Sequence, residues 1–199
     1  MPKRVDHEER RRLIAEAVRR IAADRGLEAV SLGEVAAEAG ISKGLVQHYF
    51  PSKDEMLRYA TTTLRDHVDS RLANGVTRGA NGVTQGAPSL RAAVVALLPV
   101  DDASRTEALV ANAFLMRALK DPEIADRFRA GHAQLREALA AMVADAQTVG
   151  DLSADLDPTL EADLLLALIA GLGDAVLLGH RTPEEAAALV DHHLSRLTG

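Results

Sequence analysis

Between Asp6 and Arg25 apolar side chains recur in pairs one helical turn apart, Leu13/Ile14, Ala17/Val18 and Ile21/Ala22, with arginines on the opposite face. The spacing predicts an amphipathic helix closed by Gly26. Ser31 and Glu34 stand at capping-box separation, which predicts a short second helix ending at Gly40. A third helix is expected from Ser42 and must stop before Pro51, because proline disfavours helical backbone in the residue preceding it. Ser52 and Glu55 repeat the capping-box spacing and open a fourth helix to about Leu72.

Residues 73–88 break the pattern with four glycines and two asparagines and predict a loop. This stretch holds a tandem repeat, Ala73 to Gly79 followed by Ala80 to Gly86, with Arg78 replaced by Gln85 as the single change. Two copies are too few for a solenoid and read as a duplicated flexible linker. Beyond it, Ala- and Leu-rich periodicity predicts helices at 89–99, 104–119, 122–149, 158–179 and 183–197. Asp157 before Pro158, and Thr182 before Pro183 with Glu185 following, are N-cap and first-turn signals. No strand pattern competes, so the expected fold class is all-α with about nine helices.

With 47% hydrophobic residues over 199 positions the chain can build its cores without covalent staples. It has no cysteine, so disulfides, thiolate zinc sites and a cysteine nucleophile are excluded, and a reducing cytoplasm is the expected setting. Even the longest apolar runs, such as Leu164 to Ala170, are too short to span a bilayer, and no membrane partner is expected. The net charge of −6 is uneven: residues 1–72 carry 13 Lys+Arg against 12 Asp+Glu, and residues 73–199 carry 10 against 17. An acidic body behind a near-neutral head is compatible with nucleic-acid contact through one small face.

Leu32 to Phe50 meets the physical requirements of a helix-turn-helix. Ala36 is small where two helices cross, and Gly40 permits a left-handed turn. Leu45, Val46 and Phe50 can anchor the second helix, leaving Lys43, Gln47 and His48 on a face free to enter the major groove of double-stranded DNA. Gly44 allows that helix to approach the DNA backbone closely. Taken alone, Tyr49 is equally a core residue, Ser31 and Ser52 are equally caps, and Lys53 is equally a solvated charge; their joint spacing points to DNA.

These segments resemble the TetR family of repressors. The resemblance runs through Ile14-Ala15-Glu16-Ala17, Gly26, Ser31 to Ala36, Ala39 to Gly44 and His48 to Lys53, and covers about residues 8–60 closely. It implies a three-helix DNA-binding domain at 1–52, a connecting helix at 53–72, the loop at 73–88, and a ligand-binding and dimerisation domain at 89–199. Ser31, Lys43, Tyr49 and Lys53 match family positions that touch phosphates, and Gln47 and His48 match positions that reach bases. Arg4, Ser42 and Gly44 complete the expected DNA-contact set. The partners implied are a pseudo-palindromic operator, a second copy of the chain and a small-molecule effector.

The last two helices carry the expected dimer interface: Leu164, Leu168, Leu172, Val176, Ala186, Val190, Leu194 and Leu197. By the same resemblance a ligand cavity is expected between the helices of 89–179, lined by Leu97, Asn112, Phe114, Leu119, Phe128, His132, Leu135, Met142, Leu172 and Asp174. The segment Ser42 to Phe50, with Gly171 to Asp174 and the Thr182 turn, resembles the choline- and betaine-linked regulators within the family. Recognition of a quaternary ammonium calls for an aromatic cage, and after Tyr59 the only aromatics are Phe114 and Phe128. A mainly apolar effector is therefore expected. The seven histidines form no His-Glu-x-x-His pattern, and no phosphate loop, nucleophile elbow or dinucleotide fingerprint is present. Neither a metal, a cofactor nor an enzymatic activity is expected. The alternatives are a DNA-binding regulator without a small ligand and, further off, an all-α enzyme or scaffold.

Overall fold

The computed structural model describes residues 3–79 and 87–198, with side chains described over 7–73 and 89–198. Across these residues the chain is helical and contains no strand. The helices are α1 (Lys3–Arg25), α2 (Leu32–Ala39), α3 (Lys43–Tyr49), α4 (Lys53–Gly79), α5 (Ala87–Ala96), α6 (Asp102–Ala118), α7 (Pro122–Thr148), α8 (Pro158–Leu177) and α9 (Pro183–Ser195), with a 3-10 turn at Leu27–Ala29. Among the described residues no helix is long and apolar enough to cross a membrane. The Arg4 side chain and the second copy of the repeat, 80–86, lie outside the described residues.

The ends of the helices follow the local signals. Asp157 Oδ1 accepts the Thr159 and Leu160 amides at 2.8 and 3.2 Å. Thr182 and Glu185 form a reciprocal capping box at 2.9 and 3.2 Å. At Ser31 one half of the expected box forms: Oγ accepts the Glu34 amide, whereas the Glu34 carboxylate pairs with Arg25 at 2.8 Å and so ties α2 to the end of α1.

Part of the stretch 73–88 expected as a loop is helical, because α4 continues to Gly79 through the first copy of the repeat and α5 begins at Ala87. A nucleated helix gains a hydrogen bond for each residue it adds, and a glycine costs only about 1 kcal/mol relative to alanine, so Gly75 does not stop it.

The described chain forms two compact units, Met1–His67 with Leu109–Phe128, and Val68–Ala108 with Arg129–Gly199. Helices α4, α6 and α7 each contribute to both. The first unit thus holds more than the three-helix domain expected at 1–52. Its core joins Ile14, Val18 and Ile21 of α1 to Val35, Val46, Phe50 and Leu57, and adds Val110, Phe114, Ala118 and Ile124 from α6 and α7. Each fully buried side chain of this size contributes about 1.5–3 kcal/mol of transfer free energy. The second core is built from Leu90, Val94 and Leu98 of α5 and its following turn, Leu139 and Val143 of α7, Leu165 and Leu172 of α8, and Val190 and Leu194 of α9.

Candidate nucleic-acid interface

Helices α2 and α3 form the helix-turn-helix. Gly40 adopts φ 66°, a left-handed backbone that side chains rarely tolerate, and its amide reaches the Ala36 and Ala37 carbonyls. Ala36 is 5% exposed where the helices meet. Ser42 then caps α3, its Oγ accepting the Leu45 amide at 3.2 Å.

Val46 and Phe50 are fully buried and fix the angle of α3, with Leu45 half-buried beside them. Lys43, Gly44, Gln47 and His48 are exposed. Their side chains supply an ammonium, an amide donor and acceptor, and an imidazole, the groups suited to phosphates and base edges. The hydroxyl oxygens of Ser31 and Ser42 act as cap acceptors, and a hydroxyl that accepts can still donate its hydrogen to a phosphate.

Tyr49 is half-buried, with its ring centroid 4.6 Å from that of His7 and 5.2 Å from that of His48. The Lys53 ammonium donates to the Leu27 carbonyl at 3.2 Å, so this side chain also holds the start of α4 to the 3-10 turn. Behind α3, the Arg11 guanidinium lies 4.9 Å from the Phe50 centroid and 4.3 Å from that of Tyr59, a cation–π arrangement. Burial, and then the hydrogen bond to Glu8, push the Tyr59 hydroxyl up to about 12, so it remains a donor throughout the physiological range.

Sequence reasoning missed two anchoring groups. Asp121, 4% exposed, caps α7 by accepting the Glu123 and Ile124 amides and also accepts Arg58 Nε at 3.3 Å. Burial alone would raise its carboxyl, but the Ile124 amide and the Arg58 guanidinium outweigh that and hold it below the usual carboxylate range. The Asp121-Pro122 pair carried a signal of this cap. Arg71 of α4 donates to the carbonyls of Ala96 and Leu98 and pairs with Glu107 at 2.8 Å, closing the end of α5 within the second unit. No short motif marks that clamp.

The expected ligand-lining residues do not come together at one cavity among the described residues. Phe114 is fully buried in the core of the first unit, Phe128 packs against it, and Leu119 is 73% exposed there. Asn112, His132 and Asp174 are exposed, Leu97 is half-buried, and Leu172 belongs to the second core. The reason is that parts of α6 and α7 fold into the first unit. Leu135 and Met142 do meet, in a cavity of 270 Å³ with Ala138 and Leu139 of α7, Leu72 and Ala73 of α4, and Ala93 of α5. It carries neither an aromatic ring nor a charged side chain.

The expected dimer residues divide between the protomer's core and its surface, where Leu164 stands open. Leu172, Val176, Ala186, Val190, Leu194 and Leu197 are each at most 9% exposed and fill the protomer's own core, and Leu168 is half-buried against it. The large apolar side chains left open on and beside these helices are Leu160 and Leu164 of α8, Leu178 at its C-cap and Leu189 of α9, at 57, 48, 70 and 40% exposure.

Two family profiles match the chain: bacterial regulatory proteins of the tetR family over residues 14–60, and the C-terminal domain of BetI-type transcriptional repressors over 87–199. The HTH-type transcriptional regulator PksA of Bacillus subtilis (strain 168) is 31% identical over 172 residues, covering 86% of this chain and 80% of that protein. A transcriptional regulator from Rhodococcus sp. Rha1 shares the fold with a TM-score of 0.80 at 32% identity, over 94% of this chain and 95% of that one. A regulator from Saccharomonospora viridis, solved in complex with choline, gives a TM-score of 0.82 at 27% identity, over 94% and 96%. The chain belongs to the TetR family and is a DNA-binding transcriptional repressor.

Proposed function

We propose that the protein acts as a homodimer on a pseudo-palindromic operator, read through α3, and leaves that operator when a small, mainly apolar molecule enters the cavity beside α4. The observation that carries the reading is the division of α3 into a buried anchor, Val46 and Phe50, and an exposed face of Lys43, Gly44, Gln47 and His48. Gly44 supports it independently. A Cβ there would meet nothing within 4 Å, so the chain's own packing does not require glycine, while glycine costs a helix about 1 kcal/mol. Close approach of a DNA backbone gives the reason.

The open leucines of α8 and α9 offer an apolar surface to a second copy, and reading two half-sites one turn of DNA apart calls for two α3 helices about 34 Å or slightly more apart. The cavity favours an apolar guest over choline: it offers neither a ring face nor a carboxylate to a quaternary ammonium. Leu72 and Ala73 line it from α4, the same helix that begins at Lys53, so a guest that displaces them acts on the helix carrying the DNA-binding unit. The reading is of a cytoplasmic regulator rather than an enzyme. Mobility-shift binding to duplexes from around its own gene tests it: a discrete complex is expected with one fragment, and equal binding to every fragment would count against it.

A further inference from the structure

Away from the apolar cavity, and sharing only Lys53 with the expected DNA contacts, the first unit carries an open groove of 240 Å³ between the 3-10 turn, the start of α4 and the second half of α6. Leu57, 1% exposed, closes its floor, and Leu27 and Ala113 line it. Met116 and Leu119 border it at 63 and 73% exposure. Apolar side chains left this open at one concave place mark a surface suited to binding.

The same groove is bordered by Lys53, Arg117 and Lys120 against one carboxylate, Glu28. Arg117 already pairs with Asp54 at 2.8 Å. The Lys53 ammonium bonds to the Leu27 carbonyl, a neutral partner, and forms no ion pair with any described residue. Lys120 is exposed and forms no ion pair with any described residue. Two ammonium groups that form no ion pair with a described residue therefore flank an apolar trough, with Glu28 the one carboxylate lining it. With three cationic side chains against one carboxylate, the rim favours an anionic guest over a neutral or cationic one.

We propose that this groove binds a small amphipathic carboxylate, its anionic end at Lys53 and Lys120 and its chain lying over Leu57 between Met116 and Leu119. Such a guest touches the 3-10 turn, α4 and α6 together and so braces the first unit. The site shares no residue with the apolar cavity, so either can fail without the other.

Calorimetry on the whole protein tests this with octanoate, and with 1-octanol and octyltrimethylammonium as probes of similar chain length. Octanoate is expected to bind about tenfold more tightly than either. Lys120→Glu and Leu119→Ser, both at exposed positions, should each weaken octanoate about tenfold or more, with melting curves showing an intact fold. Ala93→Leu, which fills the apolar cavity, should leave octanoate binding unchanged. The proposal is overturned if octanoate does not bind at millimolar concentration or binds no better than its two controls. It is equally overturned if Ala93→Leu abolishes binding while Lys120→Glu spares it.

Discussion

Arg58 Nε lies 3.3 Å from Asp121 Oδ2, a bond between residues 63 positions apart that ties α4 to the start of α7 inside the DNA-binding unit. Because the folded protein holds the Asp121 carboxyl below its ordinary range, the stability it contributes is present above the unfolded value of about 3.9 and is lost as pH falls through the lower folded value. Asp121→Ala should cost about 2–4 kcal/mol at neutral pH, since the cap and the Arg58 pair are lost together. Thermal melting followed from pH 7 downward should show the gap between wild type and variant closing only as pH falls below the ordinary aspartate value of about 3.9 toward the lower folded value, where the carboxyl takes up its proton. An equal gap at every pH would show that Asp121 acts without its charge.

Gly44 separates folding from DNA contact. Replacing it with alanine removes a backbone-entropy cost and meets open space, so the melting temperature should hold or rise, by up to about 1 kcal/mol in stability. Operator affinity should fall in the same variant, because the methyl group enters the space claimed by the DNA backbone. Affinity unchanged in a titration would mean that α3 does not approach that closely.

Dimerisation is expected to fail at the open leucines. Leu164→Arg, at a 48% exposed position, should yield folded monomers by sedimentation. Leu172→Arg, at 7% exposure, should yield misfolded protein instead, because it buries an unpaired charge in the protomer core. A dimer that survives Leu164→Arg would move the interface elsewhere.

Ala93→Leu should abolish the response to an apolar effector while leaving operator affinity intact, because it fills space in the 270 Å³ cavity and touches nothing on α3. Choline should show no tight binding in calorimetry with the wild type, for want of a cage. Saturable micromolar choline binding would place the effector site among other residues.

Helix ends were legible in the sequence where the signal is local. Asp157-Pro158 and Thr182-Pro183-Glu184-Glu185 fix α8 and α9 through side-chain-to-backbone bonds made within one turn. The exposed face of α3 was legible for the same reason, since Val46 and Phe50 are the apolar positions that anchor a short helix. Faces of apolar helices were not: α8 is rich in leucine all round, so spacing could not tell Leu172, which packs inward, from Leu164, which is open. The split of α6 and α7 between two units was also hidden, because Phe114 and Ile124 reach the first core through contacts far apart in the chain. The repeat misled differently, since its first copy continues α4 although its composition suits a loop.

Selection of bound duplexes from a random pool tests the central claim most directly, carried out with wild type and with the Gln47→Ala, His48→Ala double variant. Wild type should enrich one pseudo-palindrome with half-sites about one helical turn apart or slightly more. The double variant, with unchanged helix content, should lose about 1–3 kcal/mol of discrimination for each base contact removed. No enrichment by wild type, or the same motif recovered equally by the double variant, would contradict reading of DNA through α3.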